Sequence, residues 1–391
     1  MSSTQASWAD GTRLYEFVEN YAGMGEHRTG TDVDHDTIAL FADELTRLGA
    51  SIEYQSFTFD RYAPNTQVTI GGELVESEAL YYQSVGVLDT DFPSTAAVHA
   101  TEGDRTSDEL DAAITTAENA GAPAAVIATL NPLGQLVLPN RYPTVVGRMP
   151  VVLVPGRVAD DLASKPVRLR FSADVVAGSS TNVIATFAAA DNADAKPLLL
   201  ATPLSGWFGC AAERATGIAV AFALAERFAG QRPVVVVGAP GHEILHHIGL
   251  EHYLRTFELD PALIVHLGAN VALGVRKTPE GPVELAPSVT DPHHIPNVGR
   301  SLFVRMDEVR YGPVEQALAT AGLAPILNPP KWFGEGELWA DASPAPLMSF
   351  VGITPAFHTP ADTPADTTSP AALAIVARAV GTAVDRYLDQ S

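Results

Sequence analysis

Acids and histidines close to the ends of apolar segments are the residues of this sequence with the clearest chemical potential. Four stand out: Glu213, Glu243, His266 and His358. The first precedes an apolar helix, the second follows a predicted strand, the third ends another strand, and the last lies in a proline-rich loop. Because open α/β sheets gather their ligands at the carboxyl ends of strands, we predict that these side chains converge in one cleft. Such a group can bind a metal ion or transfer protons.

A second pattern overlaps Glu243. The segment reads His242-Glu243-x-x-His246-x-x-Gly249-x-x-His252, which is the spacing of the metzincin zinc motif. In that motif two histidines share a helix face, a third completes the tripod, and the glutamate polarises a zinc-bound water. Here a predicted strand and a Pro-Gly break end immediately before the segment, so a helix can begin only near His242. This context disfavours the metzincin arrangement, while coordination of an ion by His246 stays open.

The other histidines carry weaker expectations. We expect most of the histidines in this segment to be solvated helix residues, with His242 the strongest candidate for a role; the others are His246, His247 and His252. His293 and His294 lie in an irregular loop and are expected at the surface.

The apolar pattern predicts an alternation of strands and helices. Apolar residues three or four apart predict a helix at 34–48, and strict alternation predicts a strand at 51–59. From residue 182 onward, short apolar runs predict strands at 182–187, 197–201, 233–238, 262–267 and 346–351. Helices are predicted between these strands and after Ser369-Pro370. The fold class is therefore predicted to be α/β, with a mixed, mostly parallel central sheet flanked by helices.

One unit interrupts this alternation. Residues 62–177 are rich in valine, with strands near 96–99, 124–128 and 151–154 and a helix near 107–120. The connections there are rich in Gly, Pro and Asp, as loops are. We predict a smaller, β-rich inserted domain at these residues.

Composition excludes several classes of function. The chain has 391 residues, with 24 basic and 46 acidic side chains and a formal net charge of −22, which argues against binding of nucleic acid. The single cysteine, Cys210, excludes an intramolecular disulfide and a cysteine-based zinc finger. The sequence shows neither a signal peptide nor an apolar run long enough to span a membrane. We expect a cytoplasmic protein with no membrane partner, acting on a small molecule or short peptide. The sequence does not indicate an oligomeric state.

Several short segments together resemble the M28 zinc aminopeptidases. They are Arg28-Thr-Gly-Thr31, the helix end at Leu48-Gly49, Asn182-Val-Ile-Ala185 and Phe357-His-Thr-Pro-Ala-Asp362. The interrupting unit resembles the protease-associated domain of that family. The resemblance implies an M28 peptidase-like catalytic domain at 1–61 and 178–391, with a protease-associated-domain-like insert at 62–177.

The resemblance also implies a reduced metal site. The position of the family's His-x-Asp ligands is Thr202-Pro-Leu-Ser205, and Pro203 has no ligand atom. Glu213 stands where an aspartate bridges two zinc ions, with Arg214 beside it. A later aspartate ligand is replaced by His266, and the last histidine ligand is retained as His358. The implied cofactor is therefore zinc, as one ion or none, held by Glu213, His266 and His358.

Two registers are open for the family's Glu-Glu pair. If Gly249 aligns with the family's glycine, Glu243 is the general base and Ile244 occupies a ligand position. If the alignment slips by one residue, Glu243 becomes the ligand and His242 replaces the base. We predict Glu243 and His242 as catalytic residues, and Arg214 and Trp207 as residues that line a substrate pocket.

These observations predict a hydrolase of amide or peptide-like C–N bonds with Glu243 as the general base. Two alternatives remain. One is a metal-free acid–base enzyme, a hydrolase or a lyase, on the same scaffold. The other is a non-catalytic binding protein, which loss of the ligands at Pro203 and Ile244 would permit.

Overall fold

The computed structural model describes residues 7–92, 96–99, 108–147, 149–189, 192, 194–245, 247–278, 281–284 and 299–389. The strands are β1 (Ser51–Ile70), β2 (Glu73–Val75), β3 (Glu78–Ala79), β4 (Gly86–Phe92), β5 (Ala96–His99), β6 (Ala125–Leu130), β7 (Val151–Pro155), β8 (Val167–Phe187), β9 (Leu198–Pro203), β10 (Val234–Ala239), β11 (Leu263–Leu267), β12 (Val275–Thr278), β13 (Gly281–Glu284), β14 (Gly299–Arg305), β15 (Pro325–Leu327) and β16 (Leu347–Ile353).

The α-helices are α1 (Gly11–Gly23), α2 (Asp32–Arg47), α3 (Asp108–Asn119), α4 (Ala159–Ser164), α5 (Thr216–Phe228), α6 (Ile248–Leu254), α7 (Glu308–Ala319), α8 (Glu335–Ala342), α9 (Pro364–Thr367) and α10 (Pro370–Leu388). A π-helical turn, Ala211–Ala215, precedes α5. Within the described parts of the chain, none of these helices combines the length and the apolar content needed to cross a membrane.

The central sheet confirms the predicted α/β class. Its strands run in the order β15-β14-β16-β11-β9-β10-β8-β1-β2, with β4 also paired to β8. Strands β16, β11, β9 and β10 are mutually parallel, while β8 and β14 pair antiparallel on either side of them. The four parallel strands therefore present their carboxyl ends at one edge of the sheet.

Both faces of the central sheet are covered because its strands are apolar on both sides. In β9, Leu198 and Leu200 pack in the same cluster as α1, α5 and α10. The alternate residues Leu199 and Ala201 pack with Leu250 of α6 and other residues on the opposite face. Alternation along one strand thus joins two hydrophobic layers, which fixes the sheet between helices.

The inserted unit has its own four-stranded sheet, in the order β3-β7-β6-β5. It is joined to the central sheet by β1 and β8, which pair antiparallel along their whole shared length, from Ser51 opposite Thr186 to Ile70 opposite Val167. The expected boundaries at 61/62 and 177/178 fall inside these two continuous strands. A two-stranded ribbon, rather than a pair of flexible linkers, therefore connects the insert.

Local sequence signals explain where the main helices begin and end. The predicted helix at 34–48 is α2, which is capped by the Thr31 side chain accepting from the Asp34 amide. Gly49 follows it with a φ of +98°, the left-handed conformation expected of a C-terminal glycine. The helix expected to start near His242 begins later, at Ile248, because residues 242–245 form turns after β10.

Candidate active site

The carboxyl edge of the central sheet gathers a cluster of buried acids and histidines. Its members are 8% exposed or less: Glu213, His242, His247, His266, Glu335 and His358. Three of the four residues expected to converge are in it, and they arrive from the turn before α5, from the end of β11 and from the loop after β16. Parallel strands bring the residues that follow them to one edge of the sheet, which places His266 and His358 here, while Glu213 comes from the turn before α5.

Among the described residues, Glu213, His242 and His358 form one of two groups of three that could hold a metal ion; the other is His242, His247 and Glu335. Glu213 Oε1 lies 3.3 Å from His358 Nε2 and 3.6 Å from His242 Nε2. One ligand atom from each of the three residues lies within 4.8 Å of the others. Two of the buried atoms, Glu213 Oε2 and His358 Nε2, have no hydrogen-bond partner among the described residues.

This group fits a zinc ion. Zinc bonds to nitrogen and oxygen of about 2.0–2.2 Å place tetrahedral ligand atoms about 3.4 Å apart. The separations of 3.3 and 3.6 Å match that spacing and are long for hydrogen bonds between these atoms. Two histidines and a carboxylate are also a donor set that zinc prefers. We call Glu213, His242 and His358 the first metal position.

Arg214 keeps Glu213 ionised. Its guanidinium lies 2.7 Å from Glu213 Oε1, and both side chains are completely buried. Burial alone would raise the pKa of Glu213, but Arg214, His358 and His242 outweigh it and bring the pKa to about 2. Arg214 Nε also donates to the carbonyl of Ser205. In this structure the Arg214 side chain is engaged by Glu213 and by the backbone carbonyl of Ser205, and its expected contact with a substrate stays a prediction.

The backbone around these ligands is held in unusual conformations. His247 and His358 are non-glycine residues with positive φ angles of 50° and 57°. Asp362 fixes the π-helical turn by accepting from the amides of Ala212 and Glu213, at 2.8 and 3.0 Å. Strained residues persist where surrounding structure over-determines them, and they concentrate at functional sites. Here the strain aims two imidazoles into the cluster.

Glu335 was not predicted. Its Oε1 lies 2.8 Å from His242 Nδ1 and 3.4 Å from His247 Nδ1, and its Oε2 lies 3.8 Å from His266 Nε2. Burial alone would raise its pKa, yet His242 and His247 hold the pKa well below its ordinary value. It comes from the first turn of α8, and no predicted strand ends before it. The adjacent Gly336 packs closely in the fold, since a Cβ there would lie 2.2 Å from Ser349 Oγ, but the sequence around it gave no signal for Glu335.

His247 was expected to be solvated, and the structure corrects this. It is buried and precedes α6 instead of lying on its exposed face. His266 is held by a contact of 2.9 Å between its Nδ1 and Ser349 Oγ, and burial lowers its pKa to about 4. Its Nε2, which faces Glu335, has no hydrogen-bond partner in the described part of the chain.

Glu243 is fully buried but turns away from its neighbour His242. Its Oε1 accepts from the Thr29 amide at 2.5 Å, and its Oε2 accepts from Ser205 Oγ at 2.8 Å. Ser205 Oγ in turn accepts from the amides of Gly241 and His242, so Glu243 anchors the loop that presents His242. Of the residues on which the two registers depended, only His242 faces the first metal position.

Ile244 and Trp207 belong to the core of the insert. The Trp207 indole donates to Asn140 Oδ1 at 2.8 Å, and its ring meets Tyr81 edge-on with centroids 5.0 Å apart. Trp207 is 2% exposed and supports the segment of the insert that lies over the cluster. Its expected role in lining a substrate pocket stays a prediction.

That segment, residues 138–141, is here called the closing segment. The Leu138 amide donates to the His358 carbonyl at 3.2 Å, and the Arg141 amide donates to the Glu243 carbonyl at 3.4 Å. Asn140 Nδ2 donates to the His242 carbonyl at 3.0 Å. The closing segment thus bonds to the backbone of both histidines of the first metal position, which explains their burial.

The metzincin arrangement is absent from the residues that the structure shows. His242 precedes the helix, and the ring of His252 on α6 packs against Phe57, with centroids 5.7 Å apart. His242 therefore does not lie on a helix as the motif requires, and His252 packs away from the cluster. His246, His293 and His294 lie outside the described residues.

Comparisons with known proteins agree with this architecture. No protein-family model and no curated protein matches the sequence. Among solved structures, a zinc aminopeptidase from Bacillus subtilis matches with a TM-score of 0.70 and 12% identity, covering 96% of this chain and 94% of that one.

Two further structures extend the comparison. A peptidase M28 precursor from Shewanella amazonensis matches with a TM-score of 0.66 and 17% identity, over 97% of this chain and 93% of that chain. A glutaminyl cyclase from Tannerella forsythia matches with a TM-score of 0.50 and 10% identity, over 97% and 98%. The alignment spans the whole architecture in each case. The chain therefore has an M28 peptidase-like fold.

Proposed function

We propose that the chain is a metal-dependent hydrolase of amide or peptide-like C–N bonds in a small substrate. The observation that carries the proposal is the first metal position, where three ligand atoms lie within 4.8 Å of one another in a buried site. Zinc aminopeptidases are among the proteins with the same fold, which supports both the ion and the class of bond.

Arg214 and Glu335 set the charge and the protonation of the residues that would bind the ion. Arg214 keeps Glu213 ionised, so that this carboxylate is available to a cation. A carboxylate oxygen 2.8 Å from His242 Nδ1 holds the proton on that nitrogen, so the electron pair that can coordinate an ion is on Nε2, where the long 3.5 Å contact with Asn140 Nδ2 would have to give way. A zinc ion bound there would lower the pKa of a water molecule and polarise a substrate carbonyl.

Glu243 is the proposed proton acceptor. A carboxylate offers about four acceptor sites, and Thr29 and Ser205 occupy two of them, so capacity for a proton remains. In this structure Thr29 and Ser205 hold the Glu243 carboxylate facing away from the first metal position, so the proposed reaction requires it to reorient toward the attacking water. Glu243 then takes a proton from that water and passes it to the leaving nitrogen. The closing segment restricts access to the site, which favours a small molecule or short peptide as the substrate.

Metal analysis and hydrolysis assays test the proposal together. The purified chain is expected to contain zinc, to hydrolyse members of a panel of aminoacyl amides and dipeptides, and to lose activity to a chelator. His358→Ala should lose both the ion and the activity. His252→Ala removes a histidine that packs outside the cluster and should retain both. Activity that survives in metal-free protein would reject metal dependence, and a zinc-loaded chain inactive on the whole panel would reject the hydrolase.

A further inference from the structure

Two buried carboxylates are held by neighbouring amides of one turn, residues 28–31. The Thr29 amide donates to Glu243 Oε1 at 2.5 Å, and the amide of the next residue, Gly30, donates to Asp34 Oδ2 at 2.8 Å. Both acids are buried. The 28–31 turn therefore connects the proposed proton acceptor to an acid that lies outside the cluster of metal-binding side chains.

This turn has little freedom of its own. Thr31 closes it, because the Thr31 amide and hydroxyl both donate to the Arg28 carbonyl, at 3.2 and 2.7 Å. Gly30 has a φ of +77°, which favours glycine, and a Cβ at this position would lie 2.9 Å from the ring of Phe59 on β1. Because the turn is closed and packed on β1, a displacement of the Gly30 amide also displaces the adjacent Thr29 amide.

Asp34 fixes the turn to the rest of the protein. It lies in the first helical turn of α2, and its Oδ2 also accepts from Ser180 Oγ of β8 at 2.6 Å. One carboxylate oxygen thus joins the Gly30 amide to the ribbon of β1 and β8. Asp34 Oδ1 is buried and has no hydrogen-bond partner in the described part of the chain, so the contribution of this acid lies in the two contacts of Oδ2.

We infer that Asp34 is a positioning residue of the proposed reaction: it holds the Thr29 amide on Glu243 and so fixes the orientation in which that carboxylate faces away from the first metal position. The proposed reaction requires Glu243 to leave this orientation, so the population of the reoriented carboxylate depends on how firmly the turn is held. Asp34 acts through the turn, because its side-chain hydrogen bonds go to Gly30 and Ser180. The inference rests on the proposed function and adds the residue that controls its proton acceptor.

Hydrogen exchange of single amides, measured by mass spectrometry with fragmentation, tests the contact without relying on activity. Asp34→Ala removes the acceptor of the Gly30 amide, and exchange of the Thr29 amide should then accelerate by roughly 2- to 10-fold, the factor that one intramolecular hydrogen bond is worth. Asp32→Ala is the matched control, because it removes an exposed acid from the same first turn of α2, and it should leave this exchange unchanged.

Asp34→Asn is the conservative variant. Asparagine keeps an acceptor oxygen in a side chain of the same shape. Because burial raises the pKa of Asp34 to about 7, a neutral side chain is also close to the natural charge state near neutral pH. Exchange of the Thr29 amide in Asp34→Asn should therefore stay at the wild-type rate.

Turnover tests the positioning role itself. Since a looser turn releases Glu243 more often, Asp34→Ala should raise kcat for an identified substrate by roughly the same 2- to 10-fold, with the zinc content unchanged. Asp34→Asn should return kcat to the wild-type value. A residue that only stabilised the fold would lower the free energy of unfolding on replacement without raising kcat.

The outcomes separate this inference from the proposed function. Unchanged exchange of the Thr29 amide in Asp34→Ala overturns the inference whatever the activity, and faster exchange with an unchanged or lower kcat overturns it as well. A zinc-loaded wild-type chain that hydrolyses nothing in the panel overturns the proposed function, while the exchange still decides whether Asp34 holds the contact of Thr29 with Glu243. If Asp34→Ala fails to fold, Ser180→Ala takes its place, because it removes the other bond to Asp34 Oδ2 and should shift exchange and kcat in the same direction.

Discussion

His242 and Glu335 are separated by 93 positions in the sequence, yet His242 Nδ1 lies 2.8 Å from Glu335 Oε1 in the folded chain. Because an ionised carboxylate only accepts hydrogen bonds, this contact places the proton of the neutral imidazole on Nδ1. The other ring nitrogen, Nε2, then carries the electron pair; it lies 3.6 Å from Glu213 Oε1 and 3.5 Å from Asn140 Nδ2. One contact between a strand-end loop and a distant helix therefore determines which atom of His242 can bind a cation.

Replacing Arg214 with methionine should destabilise the metal-free chain strongly. The change leaves Glu213 buried without its partner, and breaking a buried ion pair in this way costs about 3–5 kcal/mol. Denaturant unfolding measures the loss. Arg227→Met is the control, because its pair with Asp385 is about a third exposed and should contribute only about 0–1 kcal/mol. Equal losses in the two variants would show that Glu213 does not depend on Arg214.

Replacing Glu243 with glutamine should separate proton transfer from metal binding. Loss of a general base lowers turnover by about 10²- to 10⁴-fold, while the first metal position keeps all three of its ligands. We expect kcat to fall by that factor with the zinc content unchanged. Glu258→Gln, an exposed substitution, should leave both unchanged.

A different result would assign Glu243 another role. If Glu243→Gln loses zinc, the residue acts mainly as the anchor of the loop that carries His242, through Ser205. If it keeps both zinc and full turnover of an identified substrate, the proposed proton acceptor is wrong.

Strand-end reasoning could predict part of this site from the sequence. Apolar runs locate β10, β11 and β16, and the residues that follow parallel strands meet at one edge of the sheet, which brings His242, His266 and His358 together. The same reasoning does not give side-chain direction. Glu243 follows β10 as closely as His242 does, but its carboxylate is drawn to Thr29 and Ser205.

The remaining residues depend on tertiary packing that no local pattern records. Glu335 reaches the cluster because α8 packs against β16, and its own segment contains no strand end or motif. Arg214 beside a carboxylate suggested a substrate contact, whereas the structure buries it against the Ser205 carbonyl. Trp207 is buried for a similar reason, because the insert packs over the carboxyl edge of the central sheet and supplies Asn140 as its partner.

Replacing Asn140 with alanine should loosen the closing segment. The change removes the bond from Nδ2 to the His242 carbonyl and the bond from the Trp207 indole, together worth about 2 kcal/mol. A penalty of that size should make opening of the segment roughly 30-fold more frequent. Release of zinc to a strong chelator, followed by stopped flow, should accelerate by a similar factor. Val146→Ala, at a residue that is 72% exposed, is the control and should leave the rate of zinc release unchanged. Equal release rates in the wild type, Asn140→Ala and Val146→Ala would mean that the closing segment does not limit release.

His27 should make the free energy of unfolding depend on pH below neutrality. Its ring is completely buried, stacked on Tyr21 with centroids 3.8 Å apart, and burial lowers its pKa from 6.5 to about 4. As pH falls from 6.5 to about 4, the unfolded chain takes up this proton before the folded chain does. The folded state therefore loses stability, by about 3 kcal/mol in total.

Asp34, whose pKa burial raises to about 7, contributes the opposite slope, so the wild-type curve alone does not isolate His27. Unfolding of wild type and His27→Gln at matched pH values does, because the stability advantage of the wild type should shrink by about 3 kcal/mol over that interval. Parallel curves would show that His27 takes up its proton equally in both states.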